Sequence, residues 1–127
     1  MKDKKMNNHK FEEMAMELYT LCKDYCIWLD VTIYFNNKAW SSYKTWGNDE
    51  GVQIGENLYE YKDKNPLKYF EYANPETLSM SFEGALYEIL NWYRPYKYFI
   101  DQFDSIFEKY GYYYEFGNAW NLSAYKN

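Results

Sequence analysis

This sequence has little of the chemistry that catalysis at neutral pH draws on: one histidine, two cysteines and one arginine in 127 residues. A serine or cysteine nucleophile needs a neighbouring base to take its proton, and the sole imidazole is His9, in a polar N-terminal stretch. Hydrolysis by an activated nucleophile is not expected. Glycine is scarce too, and Gly47, Gly51 and Gly55 are spaced by four outside any strand-to-helix turn, so nucleotide phosphates have no cradle. Basic charge is in deficit, with 14 Lys and Arg against 19 Asp and Glu for a net charge of -5. The positive field that releases phosphate counterions is therefore missing, and direct nucleic-acid binding is not expected. No apolar run approaches the roughly 18 residues of a membrane span. Residues 1–10, MKDKKMNNHK, are not followed by the apolar core of a signal peptide. A soluble, cytoplasmic protein is the expectation.

Cys22 and Cys26 lie four apart within a helical pattern, which stacks them on one face with no second pair to complete a metal site. They read as free thiols, with no disulfide framework, metal or cofactor. Carboxylates alone can support glycosidic or metal-assisted phosphodiester chemistry. The sequence, however, has no Asp-x-Asp run and only Arg94 as a bidentate anion clamp. A non-enzyme is expected.

What the sequence has in excess is aromatic residues, 24% of all positions, and tyrosine, its commonest residue at 17. Residues 1–8 are polar and without period, and read as a loose basic tail ahead of a single domain over residues 9–127. Phe11, Met14, Ala15, Leu18, Leu21, Cys22 and Tyr25 recur at three and four, an amphipathic helix that Asn8 or His9 could cap. Ile27, Leu29, Val31, Ile33 and Phe35 alternate with polar and aromatic residues, which predicts a strand. Asn36-Asn37 can turn it into a hairpin returning over 38–46, and a two-residue turn sets Ile33 opposite Trp40. Residues 52–61 are ambiguous between strand and irregular chain. The alternation over 67–72, the Asn74-Pro75 turn and Leu78, Met80 and Phe82 predict a second hairpin. A helix over 83–92 follows, and then another in which Phe99, Phe103, Ile106, Phe107 and Tyr110 form the stripe and Gly111 the C-terminal cap. Residues 112–116 and 119–125 close the chain as a hairpin about Gly117-Asn118. The predicted class is α+β, a mainly antiparallel sheet of hairpins with about three helices packed on one face.

Charge is unevenly spread. Residues 1–10 carry four Lys and one Asp, whereas Trp46 to Asn91 carries nine acids (Asp49, Glu50, Glu56, Glu60, Asp63, Glu71, Glu76, Glu83, Glu88) against three lysines. Within that acidic middle Tyr59, Tyr61, Tyr69 and Tyr72 interleave with Glu56, Glu60, Asp63 and Glu71. Tyrosine buries a large area for two frozen torsions and carries a hydroxyl that accepts water or a partner. On the last predicted helix Asp101, Asp104 and Glu108 are spaced three and four apart. That spacing aligns carboxylates about 5–6 Å from one another, near the phosphate spacing of a nucleic-acid strand. These acids and tyrosines are the candidate partner-binding residues.

Asn, Lys and Tyr, all with A/T-rich codons, make up a third of the chain, and Lys outnumbers Arg 13 to 1. A short, acidic, Tyr-, Asn- and Lys-rich single domain without catalytic residues resembles the anti-defence proteins of phages and plasmids of low-GC bacteria. Anti-CRISPR proteins, some of them acidic mimics of nucleic acid, are the nearest in character. The resemblance lies in whole-chain composition and carries over no individual residue. It implies a stoichiometric inhibitor whose protein partner is a nucleic-acid-binding effector nuclease such as Cas9, and it leaves a homodimer open. The alternative from the residues alone is a structural or oligomerising module whose exposed tyrosines contact a second copy or a carbohydrate.

Overall fold

The computed structural model describes residues 2–46, 57–92 and 96–127, with side chains from His9 onward. In chain order the elements are α1 (Lys2–Asp24), β1 (Val31–Phe35), β2 (Lys38–Ser41), β3 (Tyr59–Lys62), a 3-10 turn (Pro66–Lys68), β4 (Leu78–Phe82), α2 (Gly84–Leu90), α3 (Lys97–Lys109), β5 (Tyr112–Asn118) and β6 (Asn121–Lys126). The strands form one antiparallel sheet in the order β3-β2-β1-β4-β6-β5. This is a single-domain α+β fold, as the patterning predicts. Among the described residues no helix is long and apolar enough to cross a membrane.

The phenylalanine stripes decide which face of the sheet the helices cover. Phe11, Met14 and Leu18 of α1, Leu86 and Ile89 of α2, and Phe99, Phe103 and Phe107 of α3 are buried in one cluster with Val31, Ile33, Phe35, Leu78, Met80, Phe82 and Leu122 of the strands. Each such side chain contributes about 1.5–3 kcal/mol through removal from water. The second face is small and polar at its centre, where Thr32, Ser41, Ser79, Asn121 and Ser123 are buried. Residues 63–77 run across this face as a strap. Phe70 is buried there on Tyr34 and Ala39, while Asn74 and Thr77 bond to Ser123 and Ala124.

The β1–β2 hairpin has the predicted register, with Ile33 opposite Trp40. Asn36 and Asn37 have φ of 52° and 59°, the left-handed pair that a type I′ turn requires. Gly111 caps α3 with φ of 88° and its N–H on the Glu108 carbonyl.

Four expectations are corrected. The helix begins at Lys2 rather than near Phe11, so residues 2–8 are helical rather than a loose tail and neither Asn8 nor His9 is its cap; lysine and methionine are good helix formers without any apolar stripe. The first strand starts at Val31 and not Ile27, because Ile27 and Trp28 are both buried and Cys26 and Asp30 take positive φ, which extended chain cannot continue through. Residues 67–72 are no strand: Asn65 caps the 3-10 turn by accepting from Leu67 N–H, Pro66 follows it, and β4 pairs with β1 and β6 instead. The last hairpin turns at Ala119-Trp120, two residues beyond the expected Gly117-Asn118. Gly117 is needed for closeness rather than for turning, since a Cβ there would lie 2.6 Å from the Tyr72 carbonyl.

Candidate functional site

Strand alternation sorts the residues of β3. Tyr59 and Tyr61 pair with Ser41 and Ala39 and share their face, the one the strap crosses, whereas Glu60 lies opposite Trp40 on the helix side. The Tyr61 hydroxyl donates to the Tyr43 carbonyl at 2.7 Å. Trp46 packs against both Tyr61 (5.3 Å between ring centroids) and Tyr69 (5.2 Å). Tyr69 stacks on Tyr34 at 5.9 Å, and Phe70 meets Tyr34 edge-on. Lys64 places its ammonium 4.8 Å from the Trp46 ring centre, a cation–π contact. Burial pushes the Tyr34 hydroxyl up to about 12. Tyr72 and Glu71 are exposed on the same strap.

The carboxylates are less free than the sequence suggests. Glu60 accepts from Trp40 Nε1 at 2.8 Å and from Lys38 Nζ at 3.1 Å; these bonds, Trp40 first, hold its carboxyl below the usual range. Lys38 also reaches Glu12 at 3.3 Å. Burial works against the Lys38 ammonium, yet the two carboxylates outweigh it and its pKa is raised. Asp63, with φ of 56°, accepts from Asn37 Nδ2 at 3.3 Å. On α3, Asp101 takes Lys97 at 2.9 Å and Asp104 accepts the Tyr114 hydroxyl at 2.5 Å, while Glu108 is exposed. Burial, then the Asp104 carboxylate, raises the Tyr114 pKa.

The candidate residues thus fall on two surfaces. Tyr59, Tyr61, Asp63, Tyr69, Glu71 and Tyr72 gather on the strap side of the sheet, and Asp101, Asp104 and Glu108 lie in the helix layer on the other. Glu60 belongs to the helix side as well, and Glu56 lies outside the described residues, as do Asp49 and Glu50.

Several exposed aromatics escape a reading built on interleaved acids. Trp92 (69% exposed) and Tyr98 (84%) stand at the α2–α3 connection, Phe116 lies near the end of β5 and Trp120 in the β5–β6 turn. The α2 end is tied to that turn by Asn91 Nδ2 donating to the Ala119 carbonyl at 2.9 Å. Tyr98 was legible in principle, because it sits off the Phe99–Phe103–Phe107 stripe. A cleft of about 270 Å³ opens at the Asn36-Asn37 end of the sheet, walled by Tyr34, Asn37, Lys64, Pro66 and Glu76 among others.

Both cysteines are free; burial pushes the Cys22 thiol up to about 12, and Cys26 is exposed. His9 sits on α1 beside Glu13 at 3.2 Å. Among the described residues no three His, Cys, Asp or Glu side chains gather closely enough to hold a metal ion. No family model matches this sequence, and neither a curated protein nor a solved structure matches it.

Proposed function

We propose that this chain is a non-catalytic inhibitor that binds a nucleic-acid-binding effector stoichiometrically, in the manner of an anti-CRISPR protein acting on a CRISPR–Cas nuclease such as Cas9. The observation that carries the reading is the strap surface. Tyr61 and Tyr69 are braced ring against ring by Tyr34 and Trp46, and Tyr59, Tyr72, Asp63 and Glu71 complete the surface. Rings already held in place lose little entropy on binding, tyrosine is a frequent anchor of interfaces, and carboxylates beside it suit a basic, groove-lined channel. The acids would occupy sites that nucleic-acid phosphates otherwise fill.

The test is cleavage by a purified effector nuclease with the protein titrated to and beyond one equivalent. Inhibition is expected to saturate at a fixed stoichiometry, without turnover of any component. Asp63→Lys with Glu71→Lys is expected to weaken it and to flatten its dependence on salt. Full nuclease activity in excess protein, against effectors drawn from low-GC hosts, overturns the reading.

The oligomerising or carbohydrate-binding alternative is favoured by one observation, the cleft beside Asn37. Its 270 Å³ falls just under the range of drug-sized sites, and its walls mix aromatic rings with amides. Titration of mono- and disaccharides followed at the Asn37 side-chain amide separates this reading from the first.

A further inference from the structure

The two ends of the sheet are finished differently. Val31 C=O accepts from Ser42 N–H, and alternation along the antiparallel ladder then turns the backbone groups of Ala39 and Ser41, and so those of their partners Tyr61 and Tyr59, toward each other. The outer edge of β3 is therefore presented by Glu60 and Lys62. It is short and charged, the usual protection of an edge. At the other end Gly111 C=O accepts from Asn127 N–H at 3.0 Å. By the same alternation Tyr113 and Glu115 face β6, and Tyr112, Tyr114 and Phe116 point their N–H and C=O groups outward. Asn127 Nδ2 covers the Tyr112 carbonyl. Among the described residues no strand pairs with the outer groups of Tyr114 and Phe116. This edge is seven residues long, contains no Lys or Pro, and has an apolar ledge in Phe116, 45% exposed.

The helix above this edge chooses the occupant. One flank of α3 is taken by α1: Gln102 accepts the Tyr25 hydroxyl, and Lys109 and Tyr110 bond Glu17. The opposite flank carries Asp101, Asp104 and Glu108, and the Tyr114–Asp104 bond fixes it over β5. The three α3 carboxylates border the edge on the helix face and Glu115 of β5 lies on the other face; among the described residues Lys97 is held by Asp101 and Lys10 of α1 lies over the Tyr112 ring at the start of the strand. We propose that the free edge of β5 takes up an extended basic segment of a partner protein as an added strand, its backbone bonding Tyr114 and Phe116 and its lysines or arginines reaching the α3 carboxylates. A second copy suits the edge poorly. Pairing β5 with itself about a two-fold normal to the sheet sets two acidic α3 flanks side by side, and β5 has no base to offset them. The inference concerns a different surface from the strap and stands whether or not the partner is a nuclease.

The test uses the full chain and three fluorescent peptides: one alternating lysine with valine, one with glutamate replacing lysine, and the lysine peptide methylated on every second amide nitrogen. Anisotropy reads binding, and amide hydrogen exchange by NMR reads where it occurs. The lysine peptide is expected to slow exchange at Tyr114 and Phe116 by about tenfold or more, leaving Tyr113 and Glu115 unchanged. The glutamate and methylated peptides are expected to bind at least about tenfold more weakly, as is the lysine peptide to Asp101→Lys with Glu108→Lys. Equal binding of the lysine and glutamate peptides overturns the proposal, and so does lysine-peptide binding that leaves exchange at Tyr114 and Phe116 untouched. Concentration-dependent dimerisation that protects the same two amides also overturns it, giving the edge to a second copy, as does failure of the lysine peptide to bind the folded protein.

Discussion

Gly117 and Gly111 are glycines for different physical reasons, and one substitution separates them. A Cβ at Gly117 would lie 2.5 Å from Asn121 Oδ1 and 2.6 Å from the Tyr72 carbonyl, and a backbone oxygen has no rotamer by which to move away. Gly117→Ala is expected to cost about 1–3 kcal/mol, the range for forcing atoms into filled space, read as a lower midpoint in urea. Gly111 has nothing within 4 Å of the same position but φ of +88°, so Gly111→Ala is expected to cost about 1–2 kcal/mol for a left-handed backbone alone. Asparagine tolerates that backbone better; Gly111→Asn should recover part of the loss and Gly117→Asn none. Recovery at both positions would remove crowding as the account of Gly117. Asn121 itself is fully buried, and among the described residues neither atom of its side-chain amide has a partner, so that amide adds cost rather than support at this crossing.

Among the elements, α1 and α3 are joined by Glu17, which takes Lys109 at 3.0 Å and the Tyr110 hydroxyl. Burial pushes the Glu17 carboxyl up, but the bonds from Tyr110 and Lys109 outweigh it and the net pKa is lowered. A carboxyl lowered in the folded state contributes stability that is present above its unfolded pKa of about 4.3 and is lost as pH falls through the folded value. Tyr110→Phe is therefore expected to cost about 1 kcal/mol at pH 7, screened by partial exposure, and the difference from wild type should shrink below about pH 4.3. Urea unfolding across pH 3–7 reads it; a difference constant with pH would mean that only packing was lost. In the β1–β2 hairpin, replacing Asn36-Asn37 by Ala-Ala is expected to cost about 2 kcal/mol, roughly one for each left-handed residue. The same hairpin shows what the sequence made legible. Alternation and an Asn-Asn turn fix its register locally, and the three-and-four spacing of Phe99, Phe103 and Phe107 fixes the buried face of α3. Residues 67–72 carry equally good alternation and form no strand, because Asn65 and Pro66 set a 3-10 turn and Phe70 alone of these six is buried. The competitor was tertiary: β4 found β1 and β6, long-range partners that a local pattern does not name.

At the scale of the whole molecule the sheet itself divides what the sequence interleaves. The tyrosines and acids of 59–72 look like one mixed surface on paper, but a strand sends neighbours to opposite faces, so Glu60 goes to Trp40 and Lys38 while Tyr59 and Tyr61 go to the strap side. The α3 carboxylates were legible as a row from their spacing, yet their position over the open edge of β5 depends on which flank α1 occupies, and only the packing supplies that. The two candidate surfaces lie on opposite sides of one sheet and share no side-chain partner among the described residues, and energies at such sites add to within about 0.5 kcal/mol. If one effector is gripped at both, the fold-changes of Asp63→Lys with Glu71→Lys and of Asp101→Lys with Glu108→Lys should multiply in the quadruple variant to within about a factor of two. Affinity for a captured effector, measured at low and high ionic strength, reads both the product and the salt dependence. Each pair should flatten the dependence, since each removes attraction that salt screens. A quadruple variant no weaker than the weaker of the two pairs assigns the whole contact to one surface. A salt dependence equal to that of the wild type in all three variants takes charge out of the interaction and leaves the braced tyrosines as its sole basis.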